Sequence, residues 1–165
     1  MKYSCQVRDE ATVSAKCLFM ANVNPLSNEL TPCIAYECAA NGNLVSYLAG
    51  QGRLPEPVAR YYALSLVWAV VAMHKAEVSH RDLKLDNLVL DADFNLKIID
   101  FGLACSSSGD TNSGFCVGSE TYGSKGYMAP ELLAGVDYQP TMVDLFSIGV
   151  ILFNFFLGRM PISNA

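Results

Sequence analysis

From Val143 to Leu157 the chain is apolar at nearly every position, interrupted by Asp144, Ser147 and Asn154. The run is shorter than the roughly 20 apolar residues that cross a bilayer, so it predicts a buried core helix of about four turns and no membrane span. Gly158 supplies the stop and Pro161 blocks continuation. A second apolar run, Tyr61 to Met73, has Ser65 as its one polar residue and follows Pro55, Glu56 and Pro57, residues suited to a first helical turn. With no polar stripe, this helix is expected to be covered on several sides. A shorter helix is expected over Asn43 to Ala49, ended by Gly50 and Gly52.

Two short apolar runs have a different character. Leu88 to Leu90 and Leu96 to Ile99 flank Asp91, Ala92, Asp93, Phe94 and Asn95, which have turn composition. They predict a β-hairpin, and a hairpin returns the chain to its origin. Asn87, just before the first strand, is thereby brought near Asp100, just after the second.

Composition narrows the picture. At 165 residues and 52% hydrophobic, the chain fits one domain with a substantial core. Its net charge of −5 provides no basic surface for nucleic acid or anionic lipid, so an anionic substrate must be met by local cations or a metal. The cysteines at 5, 17, 33, 38, 105 and 116 form no CxxC pair and there are 2 histidines, a pattern that suits neither a zinc site nor a disulfide framework. Charged residues in Met1 to Glu10 stand where a secretory signal would need an apolar run. The expected location is cytoplasmic or otherwise intracellular.

The hairpin gathers chemistry. His80-Arg81-Asp82-Leu83-Lys84-Leu85-Asp86-Asn87 precedes it, and Asp100-Phe101-Gly102 follows. A candidate base, a lysine, and one amide and one acidic metal ligand suit phosphoryl transfer, in which placement and charge neutralisation carry most of the rate. Taken singly, such residues would be loop carboxylates and a solvated lysine. Their ordered combination is the signal.

These blocks resemble the eukaryotic protein kinase family: HRDLKLDN as catalytic loop, DFG at Asp100 to Gly102, and Ala129-Pro130-Glu131 as APE, in the family's order. Asp144-Leu145-Phe146-Ser147-Ile148-Gly149 is similar to the family's D-x-W-S-x-G element, with Phe146 where tryptophan is usual. The resemblance implies an α+β, protein-kinase-like fold, mostly the helical large lobe with a catalytic-loop β-hairpin and a remnant of the small lobe and hinge. Residues 1–44 would be the small-lobe remnant and hinge, and 45–165 a partial large, catalytic lobe.

By the same resemblance Asp82 accepts the proton of a substrate hydroxyl, Lys84 steadies the transferred phosphoryl group, and Ser124 hydrogen-bonds both. Asn87 and Asp100 would hold magnesium on the phosphates of ATP. Tyr36 would be the gatekeeper, the backbones of Glu37 and Ala39 would face the adenine edge, and Val89 would lie beneath it. Lysine at 84 follows the serine/threonine pattern, so the substrate would be a protein hydroxyl. Arg81 would read an anion on the activation segment, either a phosphate or the carboxylate of Glu120. Asn43 stands where some members contact ribose or a basic substrate residue with a carboxylate.

Other features depart from the family. No G-x-G-x-x-G occurs, and Val13-Ser14-Ala15-Lys16 is only a superficial counterpart of the V-A-I-K strand. The sequence therefore reads as a truncated kinase core with exposed apolar patches, either less stable than a full kinase, prone to association, or dependent on a stabilising protein partner. A pseudokinase-like protein-binding module without activity is the alternative. A small-molecule phosphotransferase is a third reading, disfavoured by APE and the residues around it.

Overall fold

The computed structural model describes residues 18–23, 30–35, 37–106 and 122–161. Strands β1 (Leu18–Val23) and β2 (Leu30–Ala35) form an antiparallel pair, Leu18 opposite Ala35 and Val23 opposite Leu30. Tyr36, Lys16 and Glu120 lie outside the described residues.

Helix α1 (Leu44–Gln51) begins where the Asn43 side chain accepts hydrogen bonds from the Ser46 N–H at 3.1 Å and the Ser46 hydroxyl at 2.9 Å, satisfying a donor that the first turn leaves open. Gly50 belongs to the helix. The stop is Gly52, which donates its N–H to the Leu48 carbonyl at a φ of 75°.

Helix α2 (Glu56–Lys75) is longer than the apolar run that predicts it, since Pro57 opens its first turn and His74 and Lys75 complement its C-terminal dipole. Ala59, Tyr62, Leu66, Ala69, Val70 and Met73 form its buried face at helical spacing. The expectation of cover on several sides does not hold among the described residues. Tyr61, Leu64 and Trp68 form a second apolar face that is exposed, Leu64 at 62% and Trp68 at 64%. Periodicity could not separate the faces because both are apolar. Further exposed apolar residues, including Leu133, Val136 and Met142, realise the patches expected from the sequence.

Beyond α2, strand β3 (Val78–Ser79) leads into the loop that starts at His80. Strands β4 (Leu88–Leu90) and β5 (Leu96–Ile98) form the expected hairpin, with Leu88 opposite Ile98, and β6 (Cys105–Ser106) pairs antiparallel with β3. Asp91 organises the turn by accepting hydrogen bonds from the N–H groups of Asp93 and Asn95.

Helix α3 (Pro130–Leu133) precedes α4 (Pro140–Leu157), which packs against α2. Ile148, Ile151 and Phe155 of α4 join Leu66 and Met73 of α2 in the main core, together with Leu83 and Leu88. Met128, Ala129, Leu132, Tyr138 and Val143 make a smaller cluster at its N-terminal end. Helix α4 has the length and composition of a minimal bilayer span, but half of it is buried against the rest of the chain. Gly158 ends it at a φ of 66°, donating its N–H to Asn154.

Candidate active site

The loop His80–Asn87 is short and polar, yet it is fastened at three points. Buried Asp144, from the first turns of α4, accepts the backbone N–H of Arg81 on Oδ1 at 2.8 Å and that of His80 on Oδ2 at 2.9 Å. His74 Nε2, from the end of α2, lies 2.8 Å from the same Oδ2. A carboxylate excluded from water is costly unless its lone pairs are met, and here three partners meet them. The bonds also hold Arg81 at a φ of 65°, a region that L-residues with side chains seldom occupy.

His80 provides the second fastening. It is fully buried, its Nδ1 accepts the Asp82 N–H at 3.3 Å, and its Nε2–H therefore donates to the Ile99 carbonyl at 3.0 Å. Its ring also packs against Phe101, centroid to centroid 4.9 Å. The loop is thus joined to the segment that carries Asp100. Leu83 and Leu85 are the third fastening, both buried in the main core while Lys84 between them stays partly exposed.

That alternation turns Asp82 and Lys84 toward the same side. Lys84 Nζ donates to Asp82 Oδ2 at 2.8 Å and to Ser124 Oγ at 2.9 Å, and the Ser124 hydroxyl donates to Asp82 Oδ1 at 3.1 Å. Base candidate, lysine and serine close a triangle from residues about forty positions apart. Asn87 donates its amide to the Asp82 carbonyl at 2.9 Å, which leaves its side-chain oxygen as the atom suited to a metal. The Ile99 N–H donates to the Asn87 carbonyl at 3.0 Å, so the hairpin brings Asn87 beside the residues that lead into Asp100. Asp100 is exposed and left-handed at a φ of 64°, its Oδ1 accepting the Gly102 N–H at 3.3 Å. Among the described residues no group of three or more His, Cys, Asp or Glu side chains could hold a metal. An amide oxygen and one carboxylate instead suit magnesium, which favours a few protein oxygens with substrate phosphates completing its shell.

The far wall of the site comes from the segment before α1. Asn41 N–H donates to Leu90 C=O and Leu90 N–H donates to Gly42 C=O, which draws residues 37–39 alongside β4. The result is a recess of about 40 Å³ lined by Glu37, Ala39, Val89, Ile99, Asp100 and Phe101. Glu37, Ala39 and Val89, singled out from the sequence for the nucleotide base, border the same space as Asp100. The Asn43 side chain is engaged as the cap of α1.

The family model described as "Protein kinase domain" matches residues 12–165. The chain belongs to the protein kinase family. Among its relatives are testis-specific serine/threonine-protein kinase 2 of Mus musculus, 43% identical over 135 residues, with 80% of this chain and 37% of the relative covered. CBL-interacting protein kinase 29 of Oryza sativa subsp. japonica is 40% identical over 129 residues, covering 78% and 28%. Protein kinase C zeta type of Oryctolagus cuniculus is 38% identical over 131 residues, covering 78% and 21%. The chain thus spans about a fifth to somewhat over a third of the length of these relatives. An α+β protein kinase fold follows from the family match.

The anchoring role of Asp144 escaped the sequence reading, although a carboxylate inside a strongly apolar run was its visible signal. Ser147, one turn later, donates to the Tyr127 carbonyl at 2.9 Å. One helix therefore holds both the loop bearing Asp82 and the segment bearing Ser124. In this kinase domain α4 acts as the common bracket of the site.

Proposed function

We propose that the chain is the catalytic core of a serine/threonine protein kinase, transferring the γ-phosphoryl group of ATP to a protein hydroxyl. The observation that carries this is the triangle of Asp82, Lys84 and Ser124. Lys84 and Ser124 fix both oxygens of the Asp82 carboxylate, and each oxygen retains lone-pair capacity to receive a proton from an incoming hydroxyl. Lys84 would steady the phosphoryl group as it moves. Asn87 and Asp100 would hold magnesium, which when bound neutralises charge on the phosphate oxygens. The adenine would lie in the recess, its edge toward the backbones of Glu37 and Ala39 and its face on Val89, with Tyr36 as gatekeeper. Residues 1–44 would then act as small-lobe remnant and hinge and 45–165 as catalytic lobe, in a cytoplasmic or other intracellular setting.

The test is transfer of labelled phosphate from magnesium ATP to a serine peptide. Asp82→Asn should lower transfer by about 10²–10⁴-fold, the usual worth of a general base, with ATP affinity unchanged. Undiminished transfer by Asp82→Asn would remove Asp82 from its role. A folded chain that binds no ATP even at about 1 mM, the upper end of common KM values, would refute the enzyme reading. That outcome would favour a pseudokinase-like protein-binding module without activity, the second reading, for which the exposed apolar face of α2 offers a contact surface.

A further inference from the structure

Arg81 sits beside Asp82, but its side chain points away from the triangle and gathers three separate segments. Its Nε–H donates to the Leu103 carbonyl at 2.7 Å, just beyond Asp100–Gly102. One terminal nitrogen reaches the Tyr138 hydroxyl at 3.4 Å, between α3 and α4. The guanidinium carbon lies 4.9 Å from the centre of the Tyr122 ring, within the range of a cation–π contact.

Tyr122 begins the tripeptide that ends at Ser124, and that tripeptide follows Arg81–Lys84 step by step. The Tyr122 ring lies against the Arg81 guanidinium. Gly123, at a φ of 111°, passes so close that a Cβ there would stand 3.1 Å from the Arg81 carbonyl oxygen and 3.7 Å from Asp82 Oδ1. Ser124 then reaches Asp82 and Lys84. A serine on a turn would otherwise have freedom to drift, since among the described residues Ser124 Oγ is held by Asp82 and Lys84, the groups it is meant to orient. The ring contact supplies a fixed point two residues upstream.

We infer that Tyr122 is a positioning residue: by stacking on Arg81 it sets the register of Tyr122–Ser124 against Arg81–Lys84 and so places the Ser124 hydroxyl on Asp82. The contact belongs to the aromatic face, which phenylalanine keeps and leucine lacks. Because the cation also holds the Leu103 carbonyl, the same stack steadies the chain that follows Asp100. The catalytic consequence rests on the kinase reading above, whereas the geometric one does not.

Amide hydrogen exchange on the whole chain tests this without reference to activity. Tyr122→Leu should speed exchange by about 2- to 30-fold, the span expected of a partly buried cation–π contact, at the Ala104 and Tyr127 N–H groups. These donate to Phe101 and Ser124 carbonyls, and α2 and α4 should keep wild-type protection. Tyr122→Phe, which keeps the ring on Arg81, should lose less protection than Tyr122→Leu. Wild-type exchange in Tyr122→Leu, or equal loss in Tyr122→Phe, would overturn the inference. Should Tyr122→Leu fail to fold, nuclear Overhauser contacts between the Tyr122 ring and Arg81 side-chain protons in the unaltered chain decide, and their absence refutes it. Where transfer is measurable, Tyr122→Leu should lower kcat by the same factor with KM for ATP unchanged, and Tyr122→Phe should lower it less. Loss of transfer in every variant with the exchange pattern intact would count against the kinase reading alone and leave the stack standing.

Discussion

Asp144→Asn isolates the anchor of the His80–Asn87 loop, because it exchanges one carboxylate oxygen for NH₂ with almost no change in volume. In the wild type Oδ1 receives Arg81 N–H at 2.8 Å and Oδ2 receives His80 N–H at 2.9 Å. Whichever way the amide turns, one of those N–H groups meets another donor. Losing one bond to a charged acceptor costs about 1.5–3 kcal/mol, and the surviving bond falls to about 1 kcal/mol as a neutral one. The sum is about 3 kcal/mol, a sizeable part of the 5–15 kcal/mol that holds a typical domain together. At about 2–4 °C per kcal/mol for a chain of this size, Tm should fall by about 6–12 °C. Urea unfolding followed by circular dichroism measures the free energy, and amide exchange should show His80 and Arg81 among the residues that lose protection. A variant within about 1 kcal/mol of the wild type, with both amides still protected, would refute the anchoring role.

Two glycines of α4 and its cap should respond in opposite directions. Gly158→Ala forces a left-handed residue, worth about 1–2 kcal/mol, and drives a Cβ into the Gly52 carbonyl, with the Gly52 carbonyl carbon at 2.6 Å, so destabilisation beyond about 2 kcal/mol is expected in thermal unfolding. Gly149→Ala meets open space inside the helix and should stabilise by about 0.5–1 kcal/mol in the same assay. At alkaline pH, burial raises the Tyr127 phenol against a hydrogen bond from the Leu85 backbone, with the Asp86 charge adding to the rise. Burial likewise raises Tyr62, helped by Tyr61 and Tyr47. Folded-state values above the unfolded one mean that their stabilisation is complete below about pH 10 and is lost as pH climbs through the folded values. Unfolding measured from about pH 8 to 11 should show that loss, and Tyr127→Phe should reduce its slope.

The hairpin was legible because Leu88–Leu90 and Leu96–Ile98 are set off by a turn of Asp and Asn, which requires no distant partner. The stop at Gly158 was legible for a similarly local reason. Helix α2 was harder: Tyr61, Leu64 and Trp68 are as apolar as Leu66, Ala69 and Met73, so hydropathy could locate the helix but not say which side would be covered. Gly50 shows the limit at a single residue, since either glycine of the pair could have ended α1 and the cap bond of Gly52 decided it.

The order of HRDLKLDN, DFG and APE by itself determined the family and the set of chemical groups, because each motif is a local string whose residue types suit one chemistry. Tertiary structure decided how those groups are held. Asp144 lies about sixty residues from the backbone it anchors, Ser124 about forty from the carboxylate it touches, and Tyr122 a similar distance from the arginine beneath it. Bonds across such separations depend on how α4 packs against α2 and on how the segment before α3 crosses the loop. A one-dimensional pattern carries the donors and acceptors, whereas their pairing exists only once buried surfaces have fixed the distances.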